Sequence, residues 1–273
     1  MNNRFDRDTA LTRLDEDRFG VCIDHGWWII RGPNGGYIAA ILAKAAAARV
    51  ADEGRPLRSL TVHFLRPPQE GEAQVEAVIE RSGRTVTTIS LRLTQGGKTH
   101  AIATAAHAVP REMAGFVHAE MPNVSSPHEC EPRVRLSTAD GPTLHERYDQ
   151  RFAIGPTPFT DEPRTREART GGWIRLKDPR PWDAAEIAAI SDAWPPAVFA
   201  SYDTPENTGG VPTVDLTVHL LNPEALASLA PDAFVLVDFR TRAVQGGYLE
   251  EDGEIWSEQG VLLAQARQVG VVL

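Results

Sequence analysis

From Gly35 to Val50 the chain reads Gly-Gly-Tyr-Ile-Ala-Ala-Ile-Leu-Ala-Lys-Ala-Ala-Ala-Ala-Arg-Val, apolar in every direction except at Lys44 and Arg49. Alanine and leucine are strong helix formers, and a helix that is apolar all round is buried. Pro33-Asn34 offers an entry with Asn34 as N-cap. The run is too short, with a charge inside it, to cross a bilayer. It therefore predicts a central core helix with a sheet wrapped around it.

The flanking patterns predict strands. Residues 1–20 are charged and predict a strand or short helix leading in. Phe19–Arg31 reads as two short strands around a turn at Asp24-His25-Gly26. After Asp52-Glu53-Gly54 come Leu57–Leu65, Gly71–Ser82, Thr85–Thr94 and Thr99–Ala108, the last two joined by the hairpin signal Gln95-Gly96-Gly97-Lys98. From residue 109 the apolar periodicity fades into Pro, Ser, His and charge. This sets an N-terminal unit at 1–110, a linker at 111–142 and a C-terminal unit at 143–273.

The C-terminal unit echoes the first. Arg151-Phe152-Ala153-Ile154 is similar to Arg18-Phe19-Gly20-Val21, and Gly172-Trp173-Ile174-Arg175 to Trp28-Ile29-Ile30-Arg31. Ile187-Ala188-Ala189-Ile190 repeats Ile38-Ala39-Ala40-Ile41, and Leu216-Thr217-Val218-His219 repeats Leu60-Thr61-Val62-His63. A closing hairpin through Glu251-Asp252-Gly253-Glu254 would match the one at Gly96-Gly97. Four echoes in one order indicate internal duplication, with too few copies for a solenoid. The expected fold class is α+β: two tandem halves, each an antiparallel sheet wrapped around a long central helix, the second helix lying at Ile187–Ala200.

Duplication lets each half serve as a reference for the other. Asp192 is the single charged residue between Glu186 and Asp203, and Ala43 occupies the matching place. An aspartate is almost never fully buried unless paired or functional, although a frayed helix end before Pro195 would also accommodate it. Gln268 interrupts the small apolar face of Leu262, Ala264, Ala266 and Gly270 and pairs with Ala106 at an offset of 162. An edge-strand glutamine is the plain alternative. Thr213 pairs with Leu57 and alone would mean nothing, because threonine is common in strands.

Composition narrows the classes. The 273 residues can bury a sizeable core, and a net charge of −9 disfavours nucleic acid or an anionic membrane as partner. Cys22 and Cys130 form no metal or redox motif, and the polar N-terminus has no signal-peptide apolar region, so a reduced cytoplasmic protein is expected. No zinc spacing and no Gly-x-Ser-x-Gly elbow occurs, and Gly32-Pro33-Asn34-Gly35-Gly36 fits neither the phosphate loop nor the dinucleotide fingerprint. Neither metal nor cofactor is expected. His63 and His219 sit at equivalent places, which favours a shared packing role.

Gly-Gly-Tyr opening the first helix, Thr-Val-His-Phe-Leu-Arg-Pro, Ile-Ser-Asp-Ala-Trp, the Thr-Val-Asp strand start and the C-terminal Leu-Leu-Ala-Gln-Ala-Arg-Gln-Val-Gly together resemble the type II acyl-CoA thioesterases. The resemblance implies a double hotdog fold and hydrolysis of acyl-CoA to fatty acid and CoA. It also implies a site of Asp192, Thr213 and Gln268, with Gln265 as an alternative glutamine. Asp192 would act as base on a water, with its pKa raised by burial; Gly35 and Gly36 N–H groups would meet the thioester oxygen. Tyr37, Trp194 and Phe199 would line the acyl pocket, and Arg66, Arg81, Arg84 or Lys98 would meet CoA phosphates. The resemblance also allows a homodimer. The rival readings are a non-catalytic acyl-CoA-binding protein and an enoyl-CoA hydratase, the latter needing a paired Asp and His motif that the sequence lacks.

Overall fold

The computed structural model describes residues 3–133, 143–158, 160–201 and 210–272. Residues 134–142 of the expected linker fall outside them. The N-terminal part comprises α1 (Arg4–Asp8), β1 (Thr12–Arg13), β2 (Arg18–Ile23), α2 (Gly35–Val50), β3 (Leu57–Phe64), β4 (Gly71–Ser82), β5 (Val86–Gln95) and β6 (Lys98–Ala108). The C-terminal part comprises β7 (Tyr148–Ile154), β8 (Ala168–Leu176), α3 (Ala184–Ile190), β9 (Thr213–Leu220) and α4 (Pro223–Ala227). It ends in β10 (Val235–Thr241), β11 (Val244–Gln245), β12 (Tyr248–Ser257) and β13 (Leu262–Val271).

The strands form one antiparallel sheet in the order β1-β2-β4-β5-β6-β3-β9-β13-β12-β10-β8-β7, with β11 against β12. The order runs inward the same way from both edges and meets at β3 and β9. There Thr61 lies opposite Thr217, their hydroxyls 3.0 Å apart. The two inner ladders share a register: Leu60 faces Ala105 on β6, and Leu216 faces Gln268 on β13. The place equivalent to Gln268 is therefore Ala105, not Ala106 as expected from the offset alone. Alanine occupies it either way.

Helix α2 packs against β3, β4, β5 and β6, and its Ala39, Ala40, Ile41 and Leu42 are fully buried. The Asn34 side chain accepts the Tyr37 N–H at 3.2 Å, capping the first turn, and Ala51 ends the helix in the left-handed region (φ 51°). Its two charges leave the core: Lys44 meets Asp6 at 3.0 Å and Arg49 meets Asp17 at 2.6 Å. The β5–β6 hairpin turns at Gly96 (φ 56°) and Gly97 (φ 71°), both in the left-handed conformation a two-residue turn requires.

Three further sequence expectations need correction. The second helix does not run from Ile187 to Ala200. Helix α3 starts earlier, capped by Asp183 on the Glu186 N–H at 2.9 Å, and stops at Ile190. Pro195 and Pro196 follow within six residues and cannot continue a helix, so the chain resumes as a single 3-10 turn at Ala197–Ala200. Next, only one strand forms within Phe19–Arg31. Beyond β2 the chain makes a 3-10 turn at His25–Trp27, which buries Trp27 stacked on Tyr37 at 5.2 Å. Finally, Glu251–Glu254 is no hairpin. Strand β12 runs straight through it, and the reversal comes after Ser257, whose N–H bonds to the Val261 carbonyl at 2.9 Å.

Candidate active site

Asp192 is the second residue after α3, and the short length of that helix places it against the N-terminus of α2. The approach is close: a Cβ on Gly36 would lie 2.2 Å from the Ala189 carbonyl oxygen, and one on Gly35 would lie 2.8 Å from Asp192 Oδ2. Two glycines let the ends of α2 and α3 touch.

The Gly36 N–H donates to Asp192 Oδ2 at 3.0 Å, and Asn34 Nδ2 donates to the same oxygen at 2.9 Å. Asn34 Nδ2 also reaches the Asp192 carbonyl at 2.7 Å. One asparagine thus caps α2 with its oxygen and grips Asp192 with its nitrogen. This revises the part expected of Gly36. The positive end of a helix draws the nearest anion, here Asp192, so the Gly36 N–H is engaged by the carboxylate rather than open to a thioester oxygen.

The other carboxylate oxygen, Oδ1, faces the Thr213 hydroxyl at 3.3 Å, and that hydroxyl also lies 3.0 Å from Gln268 Oε1. Thr213 opens β9 and Gln268 lies on β13, so neighbouring strands deliver both side chains to one point. A hydroxyl has one hydrogen, yet two acceptors converge on it. Burial pushes the Asp192 carboxyl up to about 6, against the opposing pull of the Gly36 N–H, Thr213, the Gly35 N–H and Asn34, so the amide expected of Gly35 for a thioester oxygen is also turned toward the carboxylate.

The pattern missed Glu251. Its Oε1 accepts from Gln268 Nε2 at 2.7 Å and its Oε2 accepts the Ala197 N–H at 2.5 Å. Burial, with the charge of Asp192 adding to it, pushes this carboxyl up to about 7. The ionised carboxylate can only accept, which turns the Gln268 amide so that its oxygen faces Thr213. Strict alternation would have found it: Leu249, Glu251, Gly253 and Ile255 are the inward positions of β12.

Asp192, Thr213 and Gln268 share the wall of a cavity of about 500 Å³ with Gly35, Trp194 and Phe199. Tyr37 is not among its lining residues. Its hydroxyl is spent in the core, donating to the Asp8 carbonyl at 2.6 Å and accepting the Asp24 N–H at 3.2 Å. Gln265 is exposed and faces Glu254 at 3.4 Å. Of the four basic residues considered for CoA, Arg66 borders the cavity and Arg81, Arg84 and Lys98 do not. His63 and His219 are exposed on the sheet. Among the described residues no helix is long and apolar enough to cross a membrane.

Residues 24–108 match the family model of the acyl-CoA thioesterase N-terminal domain, and residues 127–272 match that of the acyl-CoA thioesterase C-terminal domain. The chain belongs to the acyl-CoA thioesterase family. A conserved hot dog fold protein of unknown function from Alicyclobacillus acidocaldarius superposes with a TM-score of 0.90 at 29% identity, covering 100% of this chain and 99% of that one. A putative thioesterase II from Thermobifida fusca does so with a TM-score of 0.83 at 29% identity, covering 99% and 98%. Among curated proteins, the thioesterase-like protein TwmA of Talaromyces wortmannii is 35% identical over 95 residues, which span 34% of this chain and only 27% of that protein.

Proposed function

We propose that the chain hydrolyses acyl-CoA thioesters to a free acid and CoA, in a double hotdog formed by the units 1–110 and 143–273. The observation that carries this reading is the arrangement of Thr213 between two acceptors, Asp192 Oδ1 and Gln268 Oε1. When Thr213 donates to Gln268, Asp192 Oδ1 is left to accept a hydrogen from water; when it donates to Asp192, Gln268 Oε1 is left instead. Either way the site holds a water by its hydrogen with its lone pairs directed outward, as a nucleophile requires.

Asp192 takes the proton as the water attacks the thioester carbon. A carboxyl at about 6 is ionised at neutral pH and basic enough to serve. Negative charge develops on the thioester oxygen, and the N-terminal end of α2, whose Gly35 borders the cavity, carries a positive field that Asp192 no longer neutralises once it holds the proton. The C–S bond then breaks, the sulfur takes the proton held on Asp192, and CoA leaves as the thiol with the carboxylate regenerated. Hydrolysis needs no metal or redox step. A hydratase would pair its aspartate with a histidine, whereas Asp192 is bonded to Asn34, Gly36 and Thr213.

Free-thiol release from acetyl- through palmitoyl-CoA tests the reading. Turnover is expected on at least part of the series. Thermal stabilisation by acyl-CoA without thiol release from any member would overturn it in favour of a binding protein.

A further inference from the structure

The cavity holds a cation that catalysis does not use. Arg133 lies in its wall beside His145. Arg133 Nη1 donates to Gln150 Oε1 at 2.8 Å and to His145 Nδ1 at 3.0 Å. Both acceptors are neutral. Because Nδ1 accepts from an arginine, the imidazole is uncharged, and burial together with the charge of Arg133 holds its pKa down at about 4. Among the described residues no carboxylate lies within ion-pairing distance of Arg133. Several other arginines of the C-terminal part are paired: Arg151 and Arg175 with Asp149, Arg169 with Asp238, and Arg180 with Asp6, Asp183 and Glu186.

An arginine partly removed from water and left without a counter-ion is costly unless a ligand supplies one. The cost is visible in its acidity, which burial alone brings down to about 10. Two hydrogens on Nη1 are spent on Gln150 and His145. The Nε–H and the Nη2 hydrogens find no acceptor among the described residues, and that edge is the fork that takes a carboxylate through two parallel hydrogen bonds. The group is also held firmly. Gln150 is anchored by donation to the Ala193 carbonyl at 2.8 Å, next to Asp192, and the guanidinium lies over the Phe152 ring at 5.7 Å. Arg31 and Arg66, which also border the cavity, are exposed and suit the solvated phosphates of CoA; Arg133 is the more buried of the three.

We propose that Arg133 is an anion subsite within the acyl cavity, so that the preferred acyl group carries a carboxylate in addition to the thioester. The inference rests on the thioesterase reading for the position of the thioester. Its own test does not need turnover.

Binding of non-hydrolysable S-alkyl-CoA thioethers is measured by calorimetry, each against the ω-carboxy thioether of equal chain length, and repeated with N-acetylcysteamine thioethers, which lack phosphate. The wild-type protein should favour the carboxylated member by on the order of tenfold or more in both series. Arg133→Met should narrow that preference to within about twofold, and Arg133→Lys, which keeps the charge and loses the fork, should fall between. Equal or tighter binding of the plain alkyl ligands by the wild type would overturn the proposal, whatever the variants do. A loss in Arg133→Met that is equal for all CoA ligands and absent with N-acetylcysteamine would overturn it too, assigning Arg133 to a CoA phosphate. Failure of the reaction itself would instead be seen as no thiol release from any thioester.

Discussion

Ile-Ala-Ala-Ile occurs in both helices, and the two copies end differently. In α2 it is followed by a further run of alanines that stays buried under β3–β6 to Ala46. In α3 it is followed by Ser191, Asp192 and, after two residues, two prolines, so the helix stops after two turns. Continuing the helix yields a rod of core with Ala43 buried inside it. Stopping it presents a carboxylate to the amides of the other helix. The helix end that carries Asp192 arises from shortening a packing element rather than from adding one.

The comparison is broken most severely at Asp192. Asp192→Asn keeps the shape and removes the proposed base, and kcat/KM for thiol release should fall by about 10²-fold or more, with the folded state intact by circular dichroism. Gly36→Ala attacks the contact between the helix ends. Its new methyl would meet the Ala189 carbonyl, and a cost of about 1–3 kcal/mol in urea unfolding is expected, together with a loss of activity as Asp192 is pushed away.

Glu251→Gln acts at one remove. Without a carboxylate acceptor the Gln268 amide loses its fixed sense, and kcat should fall by roughly tenfold while KM changes little. In the wild type, activity should decline as pH drops through about 7 and 6, where Glu251 and Asp192 protonate; the variant should retain the lower step alone.

The smallest expected effect concerns stability. Glu251 and Glu186 have folded pKa values raised to about 7 and about 8, above the unfolded value of about 4. Their contribution is complete at low pH and is lost as pH rises through those values. The buried imidazoles of His107 and His145, both shifted down, act in the opposite sense only below about 6.5. Between pH 6.5 and 8.5 the unfolding midpoint should therefore drift down, and less steeply in Glu251→Gln.

Much of this was legible in the chain. The alanine run of α2, the boundaries of β4 and the Gly96-Gly97 turn follow from local propensity, and tertiary structure leaves them unchanged. Asp192, Thr213 and Gln268 stood out because apolar residues hold the matching places, and the structure brings these three side chains together. Glu251 was hidden because Glu-Asp-Gly-Glu suits a turn as well as a strand, and only the partner strands decide which. The length of α3 could have been read from Pro195-Pro196, but the repeated tetrapeptide drew the helix onward. The engagement of Gly36 by Asp192 depends on contact between residues 156 positions apart, which no local pattern encodes.

Asn34 has a consequence for how the molecule becomes competent during synthesis. Its amide oxygen serves its own helix, while its nitrogen waits for a carboxylate more than half a chain length downstream. On the proposed mechanism, a nascent chain that has not yet released Asp192 lacks the base, and its Asn34 nitrogen lacks the carboxylate it holds in the finished fold, so incomplete translation products would be inert toward thioesters.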